Sequence, residues 1–197
     1  RQLSALSSNR SSSKPPLGSV NTVPDLALTD LGTGTYELGW HYYNKGDYNQ
    51  DGVVGVADIT PLAVHFGESY SADDGNSLLA VVDGSGNLIV DIADITPIAV
   101  NIGAEVSAYS IEVSQEKETG YTSSDTLDIS QGLDAATQRM RFSANLTPVP
   151  GYWYRVVPLD GSQAPGVASN AVQAPVLGHS PIAPSELTAE VISPYQI

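Results

Sequence analysis

The sequence predicts a mainly β protein, a β-sandwich whose chain is interrupted by a small helical unit. Three observations lead to this prediction. Several segments alternate apolar and polar residues with a period of two, as half-buried strands do. A polar loop followed by a short helical pattern occurs twice between two of these segments. Without residues 46–103, the ranges 24–45 and 104–176 retain 22 and 73 residues, and a seven-stranded sandwich needs about 100.

The first part of the chain leads into a strand. Residues 1–23 are rich in Ser, Asn, Pro and Lys, which predicts a linker or extension. The segment YELGWHY at 36–42 then gives a clear strand pattern, in which Tyr36, Leu38, Trp40 and Tyr42 alternate with Glu37, Gly39 and His41. Alternate side chains of a strand lie on one face, so we expect the first set in the core.

Four later segments carry the other strand signals. They are YSIEV (109–113), RMRFSANL (139–146), GYWYRVVPLDGS (151–162) and SNAVQAPV (169–176). Gly, Pro, Asp and Asn separate them, as expected of turns. Residues 177–197 predict a linker with a candidate strand at 186–192, where Leu187, Ala189 and Val191 alternate with polar residues. This segment is an exposed tail, the opening strand of a further sandwich domain, or a strand donated to the next subunit of a fibre.

The middle of the chain contains an internal repeat. VADITPLAVHFG (56–67) and IADITPIAVNIG (92–103) are near copies offset by 36 residues. In the first copy, Ile59, Leu62, Ala63 and Phe66 recur at helical spacing, which predicts one apolar face. Pro61 and Pro97 fall in the first helical turn, where a missing N–H costs little, and Gly67 and Gly103 are natural helix stops.

A 12-residue polar loop precedes each of these helices. An EF-hand-type calcium loop offers oxygen ligands at positions 1, 3, 5, 7, 9 and 12, with a sharp turn at position 6. The first loop would supply Asp47, Asn49, Asp51, the Val53 carbonyl, a water near Gly55, and Asp58. Gly52 falls on the turn. The alternative interpretation is a polar turn rich in Asp and Asn, but the recurrence of the pattern favours calcium.

The second loop repeats the ligand pattern with one departure. It would supply Asp83, Ser85, Asn87, the Ile89 carbonyl, Asp91 and Asp94. Leu88 replaces glycine at the turn. A positive φ strains leucine, so we expect a different backbone there and a weaker second site. Two calcium ions per chain are expected.

Two loop–helix units without a leading helix resemble a dockerin domain, carried by GDYNQDGVVGVADITPLAVHFG and VDGSGNLIVDIADITPIAVNIG within residues 46–103. The resemblance implies two bound calcium ions and a protein partner of the cohesin type. In the best-known dockerins, polar residues just before the last calcium ligand help to recognise the cohesin. Val56, Ala57, Ile92 and Ala93 stand there in this chain, which points to a more hydrophobic partner surface.

The strand segments resemble a fibronectin type III or similar immunoglobulin-like sandwich. ELGW matches its second strand, YSIEV its third, and GYWYRVVPLDGS with SNAVQA its last two, with Tyr152 as the candidate corner tyrosine. The resemblance implies a discontinuous domain, 24–45 plus 104–176. The dockerin-like unit 46–103 is then an insertion between the second and third strands. If so, the strand around Trp40 must pair with a segment after residue 104.

Composition excludes several classes of function. The net charge of −14 disfavours nucleic-acid binding. Without cysteine there is no disulfide, thiolate zinc site or cysteine nucleophile. Bound calcium is an alternative way to stabilise an extracellular domain that lacks disulfides. No apolar run approaches the roughly 20 residues of a membrane helix. A start at Arg1 rather than Met suggests a processed chain or fragment.

No catalytic motif is visible. His41, His65 and His179 belong to no metal or nucleophile pattern, and nothing favours a glycosidase pair of carboxylates. Tyr42, Tyr43 and Trp153 are candidates for stacking on sugar rings, although such residues more often form the core or its rim. We therefore expect a protein that is not an enzyme.

Three hypotheses about function remain. The leading one is a non-catalytic, calcium-stabilised structural module of a secreted prokaryotic protein, at the cell surface or in a fibre whose subunits exchange the strand 186–192. The second is a docking module for a cohesin-like partner. The third is an appendage of a secreted carbohydrate-active enzyme.

Overall fold

A computed structural model describes residues 20–32 and 34–176 of the chain. Within these ranges the protein forms two antiparallel sheets, as in a β-sandwich, together with a few short helices. Most of the predicted linker 1–23, His179 and the candidate strand 186–192 lie outside the described residues. We call the two sheets and their connections the sheet body, and residues 46–103 the loop–helix unit.

The smaller sheet has three strands in the order β1–β2–β5. They are β1 (Ala27–Asp30), β2 (Tyr36–His41) and β5 (Arg141–Leu146). Trp40 in β2 lies opposite Phe142 in β5. The strand around Trp40 thus pairs with a segment beyond residue 104, as the sequence predicted. The division into domains 24–45 plus 104–176 and 46–103 stays a prediction.

The larger sheet has four strands in the order β4–β3–β6–β7. They are β3 (Ala108–Ser114), β4 (Thr122–Asp128), β6 (Trp153–Leu159) and β7 (Val172–Gln173). A 3-10 turn at Ile129–Gln131 follows β4. The sequence predicted β3, β6 and β7 within a few residues, whereas β4 gave no strand signal.

Aromatic rings from both sheets form the centre of the main core. Trp40 stacks on Phe142 with a centroid distance of 5.7 Å, and Tyr109 from β3 meets both rings edge-on at 5.6 and 5.0 Å. Leu38 and Tyr42 are buried beside them. The predicted inward face of β2 is therefore correct, and offset or edge-on ring pairs of this kind add stability beyond area burial.

The loop–helix unit contains three short helices. They are α1 (Ile59–Val64), α2 (Leu78–Val82) and α3 (Ile95–Asn101), with 3-10 turns at Val56–Asp58 and Ile92–Asp94 leading into α1 and α3. A second buried cluster lies among them, formed by Tyr48, Val54, Leu62, Val82, Val90, Ile98 and Ala104. The unit thus has a small core of its own, distinct from the aromatic core between the sheets.

Two expectations about local structure are wrong. The apolar stripe of α1 does not face a core, because Leu62 is buried whereas Ile59, Ala63 and Phe66 are exposed. The helix is one and a half turns long and reaches the small core only through Leu62. It ends at Val64, before Phe66 and Gly67.

The hydrogen bond expected of a corner tyrosine is made by Tyr154 and not by the predicted Tyr152. The Val149 N–H donates to the Tyr154 hydroxyl oxygen at 3.0 Å, and Tyr154 is buried. This bond ties β6 back to the connection from β5, as a tyrosine corner does. Tyr152 instead accepts an exposed hydrogen bond from Gln115 at 2.6 Å.

Candidate metal centre

The first loop is organised around two buried carboxylates at its ends, Asp47 and Asp58, which are 1% and 0% exposed. Asp47 accepts the N–H groups of Asp51 and Gly52 at 3.2 and 2.9 Å. Asp58 accepts those of Tyr48, Asn49 and Gly55 at 2.7, 3.1 and 2.7 Å. The terminal carboxylates therefore shape the loop through its backbone.

The remaining predicted ligands of the first loop lie at its rim. Asn49 accepts the Asp51 N–H at 3.0 Å and donates its amide to the Asp51 carboxylate at 2.8 Å. Asp51 in turn accepts the Val53 N–H at 3.0 Å. Asp51 and Val53 are exposed and Asn49 is half-buried, so the outer side of the loop is accessible to solvent ions.

The second loop repeats this arrangement at the predicted offset. Asp83 and Asp94 are buried, like their counterparts. Asp83 accepts the Asn87 and Leu88 N–H groups at 3.2 and 2.7 Å, and Asp94 accepts those of Ser85 and Asp91 at 2.8 Å each. The Ile89 N–H donates to Asn87 at 3.0 Å. Hydrogen bonds thus link Asp83, Ser85, Asn87, Asp91 and Asp94 within the second loop, and their role as ligands stays a prediction.

The expected difference in backbone at Leu88 is wrong. Leu88 has a φ of 70° and Gly52 a φ of 100°, so both turns use the left-handed region. The hydrogen bonds impose this conformation, since the Leu88 N–H donates to Asp83 and its carbonyl accepts the Tyr70 N–H at 3.3 Å. A strained backbone conformation of this kind persists where several surrounding contacts hold it in place.

Each loop pairs with the segment that follows the helix of the other half. The Val54 N–H donates to the Ala104 carbonyl at 2.9 Å, after α3. The Val90 N–H donates to the Glu68 carbonyl at 2.9 Å, after α1. Single bridges join Val53 to Glu105 and Ser69 to Ile89. This reciprocal pairing relates the two halves by the same 36-residue offset.

The buried carboxylates differ in their electrostatic environment. Burial raises the pKa of Asp47 to about 7, while a hydrogen bond from the Tyr42 hydroxyl opposes the shift. Burial likewise raises the pKa of Asp58, although the backbone N–H groups that donate to its carboxylate oppose the shift. Burial acts on Asp83 in the same direction, but donors led by the Leu88 N–H outweigh it and lower its pKa. The carboxylate that opens the first loop is therefore harder to ionise than the one that opens the second.

The donor set of both loops consists of oxygen atoms from carboxylates, amides, a hydroxyl and backbone carbonyls, which suits a hard cation such as Ca²⁺. No group of three His, Cys, Asp or Glu side chains in the described ranges is arranged to hold a metal ion. EF-hand-type sites also draw on Asn, Ser and main-chain oxygens. The residues present fit calcium by the chemistry of their donors.

Of the histidines and aromatics singled out in the sequence and described by the structure, Tyr42 donates its hydroxyl to Asp47 of the first loop, whereas His41 and His65 pair with carboxylates outside the loops. His41 contacts Asp25 at 2.7 Å and His65 contacts Glu68 at 3.3 Å. Tyr42 is buried in the sheet body, and Lys117 covers the Trp153 ring at 5.5 Å from its centroid. A sugar-stacking role for these rings stays a prediction.

Sequence reasoning missed several residues that hold the loops in place. Gln50 is 2% exposed and has a φ of 56°, and its amide bonds three backbone groups of the sheet body. Tyr70 donates its hydroxyl to Asp83 at 3.1 Å. A glutamine at a non-ligand loop position carries no sequence signal, so only the structure identifies it.

The chain matches no model of a protein family, and a search of curated proteins found no match. No helix among the described residues has the length and apolar character needed to cross a membrane.

Proposed function

We propose that this chain is a non-catalytic, calcium-binding structural module of a secreted prokaryotic protein or cell-surface assembly. The observation that carries the proposal is the repeated geometry of the two loops. A buried Asp opens each loop and another closes it, and they accept N–H groups from equivalent positions. The recurrence of this arrangement 36 residues later supports one shared role for the two loops.

The proposed ligands are the eleven residues predicted from the sequence. Bound calcium would neutralise the three carboxylates of each loop, which otherwise repel one another. The Asp83 carboxylate already accepts five hydrogen bonds, from Ser85, Gly86, Asn87, Leu88 and Tyr70, whereas Asp47 accepts three. A carboxylate has about four lone-pair sites. This difference supports a weaker second site.

Thermal melting of the whole chain tests the proposal. Free calcium at 100 times its dissociation constant stabilises by about 2.7 kcal/mol per site, which raises Tm by roughly 5–10 °C in a chain of this size. Magnesium at equal ionic strength is the control for simple screening of the −14 net charge. Identical melting curves in calcium and in EGTA would refute calcium binding.

The sheets support a finer proposal about the fold, a fibronectin type III-like sandwich with a dockerin-like insertion between its second and third strands. The fourth strand pairs with the third, whereas in an immunoglobulin constant domain it joins the sheet of the first two. Trp40 in the second strand and the Tyr154 corner are further points of similarity. Strands β2 and β3 flank residues 46–103.

A second candidate function is docking of a protein partner, such as a cohesin-like module. Four pairs of apolar residues at the repeat offset are exposed, namely Val56 with Ile92, Ile59 with Ile95, Val64 with Val100, and Phe66 with Ile102. Large apolar side chains left exposed at matching positions of both halves are candidates for an interaction site. The observation favours a hydrophobic partner, in keeping with the absence of polar residues at Val56 and Ile92.

Pull-down with and without calcium separates the two functions. Docking predicts that Val64→Asp with Val100→Asp abolishes capture of a cohesin-like module. The same change at two exposed valines of the sheet body, Val167→Asp with Val176→Asp, is the control. Capture that survives the helix variant, or contacts confined to residues 1–23 or 183–197, would favour the structural polymer instead.

A further inference from the structure

The first loop is fastened to the sheet body by the side chain of Gln50. Its amide nitrogen donates to the carbonyls of Ala135 and Gln138 at 3.1 and 2.9 Å, and its amide oxygen accepts the Met140 N–H at 2.6 Å. Met140 is a buried core residue whose carbonyl accepts the Tyr42 N–H at 2.8 Å. The Gln50 side chain therefore continues the backbone hydrogen-bond ladder between β2 and β5.

Other bonds also join this loop to the chain on either side of the unit, and two of them lie within two residues of a strand. The Tyr42 hydroxyl, at the end of β2, donates to the Asp47 carboxylate. The Gly52 carbonyl accepts the Val106 N–H at 2.8 Å, just before β3. Together with Gln50, these contacts form a three-point clamp between loop positions 1, 4 and 6 and the sheet body.

The second loop has no such clamp in the part of the chain that the structure describes. Its hydrogen bonds outside residues 83–94 go to Tyr48, to the segment Gly67–Tyr70 and to Leu79 and Val82 of α2, all within the loop–helix unit. The position equivalent to Gln50 is Gly86, which has no side chain and has open space around it. The two loops thus share their internal hydrogen bonds and differ in their hydrogen bonds to the rest of the chain.

We propose that calcium in the first loop stabilises the sheet body through this clamp, whereas calcium in the second loop acts only within the loop–helix unit. The inference rests on the proposed calcium binding. Ligation by Asp47, Asn49, Asp51 and the Val53 carbonyl orders the stretch that carries Gln50 and Gly52. Because coupling between two equilibria is reciprocal, a folded sheet body must tighten calcium at the first loop by the same factor.

Amide hydrogen exchange and calcium titration on the whole chain test this inference. In the native protein, calcium is expected to slow exchange in the β2–β5 ladder by on the order of tenfold, a typical coupling factor. Gln50→Ala removes most of the clamp. The variant should reduce the calcium-induced slowing of amide exchange and weaken calcium binding at the tighter site by the same factor. The calcium affinity of the weaker site should not change. Tyr42→Phe, a milder change, should act in the same direction.

Asn170→Ala is the matched control. The Asn170 amide also bridges backbone groups, accepting the Leu26 N–H at 3.2 Å and donating to the Leu26 carbonyl at 2.9 Å, away from the loops. It should destabilise the sheets and leave the calcium effect intact. If Gln50→Ala binds calcium as tightly as the native chain, with equal slowing of exchange, the clamp is refuted and calcium binding stands. If the native chain binds no calcium, the proposed function falls first.

Discussion

Replacing Gly52 by alanine probes the point where the first loop meets the sheet body. Gly52 has a φ of 100°, and a Cβ there would lie 2.7 Å from the Val106 carbonyl oxygen and 2.9 Å from Ile129 Cδ1. The left-handed backbone costs a non-glycine residue roughly 1–2 kcal/mol, and overpacking costs about 1–3 kcal/mol. We expect the free energy of unfolding to fall by about 3 kcal/mol.

Gly86→Ala is the control, because Gly86 has a φ of 77° and nothing within 4 Å of the added carbon. It should cost only the backbone term, about 1 kcal/mol. Urea unfolding, monitored by tryptophan fluorescence, resolves the difference. If the free energy of unfolding falls by about 2 kcal/mol per molar urea, Gly52→Ala lowers the midpoint by about 1.5 M and Gly86→Ala by about 0.5 M. Equal shifts would refute the close contact between loop and β3.

Other predictions concern the core, the corner and the metal. Trp40→Ala removes the ring that stacks on Phe142 and should cost about 3–5 kcal/mol in urea unfolding. Tyr154→Phe leaves the Val149 N–H without its acceptor and should cost about 1–2 kcal/mol, whereas Tyr152→Phe loses only an exposed hydrogen bond and should cost under about 0.5 kcal/mol; the reverse order would favour Tyr152 as the corner tyrosine. EGTA should speed limited proteolysis within residues 46–103 more than within β2 or β6, and uniform cleavage would contradict local stabilisation by calcium.

The strands with an apolar face were predictable from the sequence, and the others were not. The alternation around Trp40 gave the position and inward face of β2 because one side of that strand is buried. Strand β4 consists mainly of hydroxyl and Asp residues and is exposed along nearly all its length, so it has no apolar period. The run LLAVV of α2 is too short to separate helix from strand.

The two repeated loops of the candidate site were predictable from the sequence and their backbone only in part, while the roles of their residues as ligands stay a prediction. Oxygen-bearing residues at fixed spacing identify a loop because the spacing is set by the ligand geometry. The positive φ of Leu88 was not predictable, since it depends on hydrogen bonds to Asp83 and Tyr70. The clamp at Gln50 depends on a segment about 90 residues further along the chain, which local sequence cannot reveal.

Calorimetric titration of the whole chain with calcium tests the central claim most directly. The account predicts two ions per chain, with the tighter ion lost in Asp51→Asn and the weaker ion lost in Asp91→Asn, since each change removes an exposed or half-buried carboxylate from one loop. Asp134→Asn, in the sheet body, should leave both sites unchanged. Absence of binding, or two sites that survive both loop variants, would contradict it.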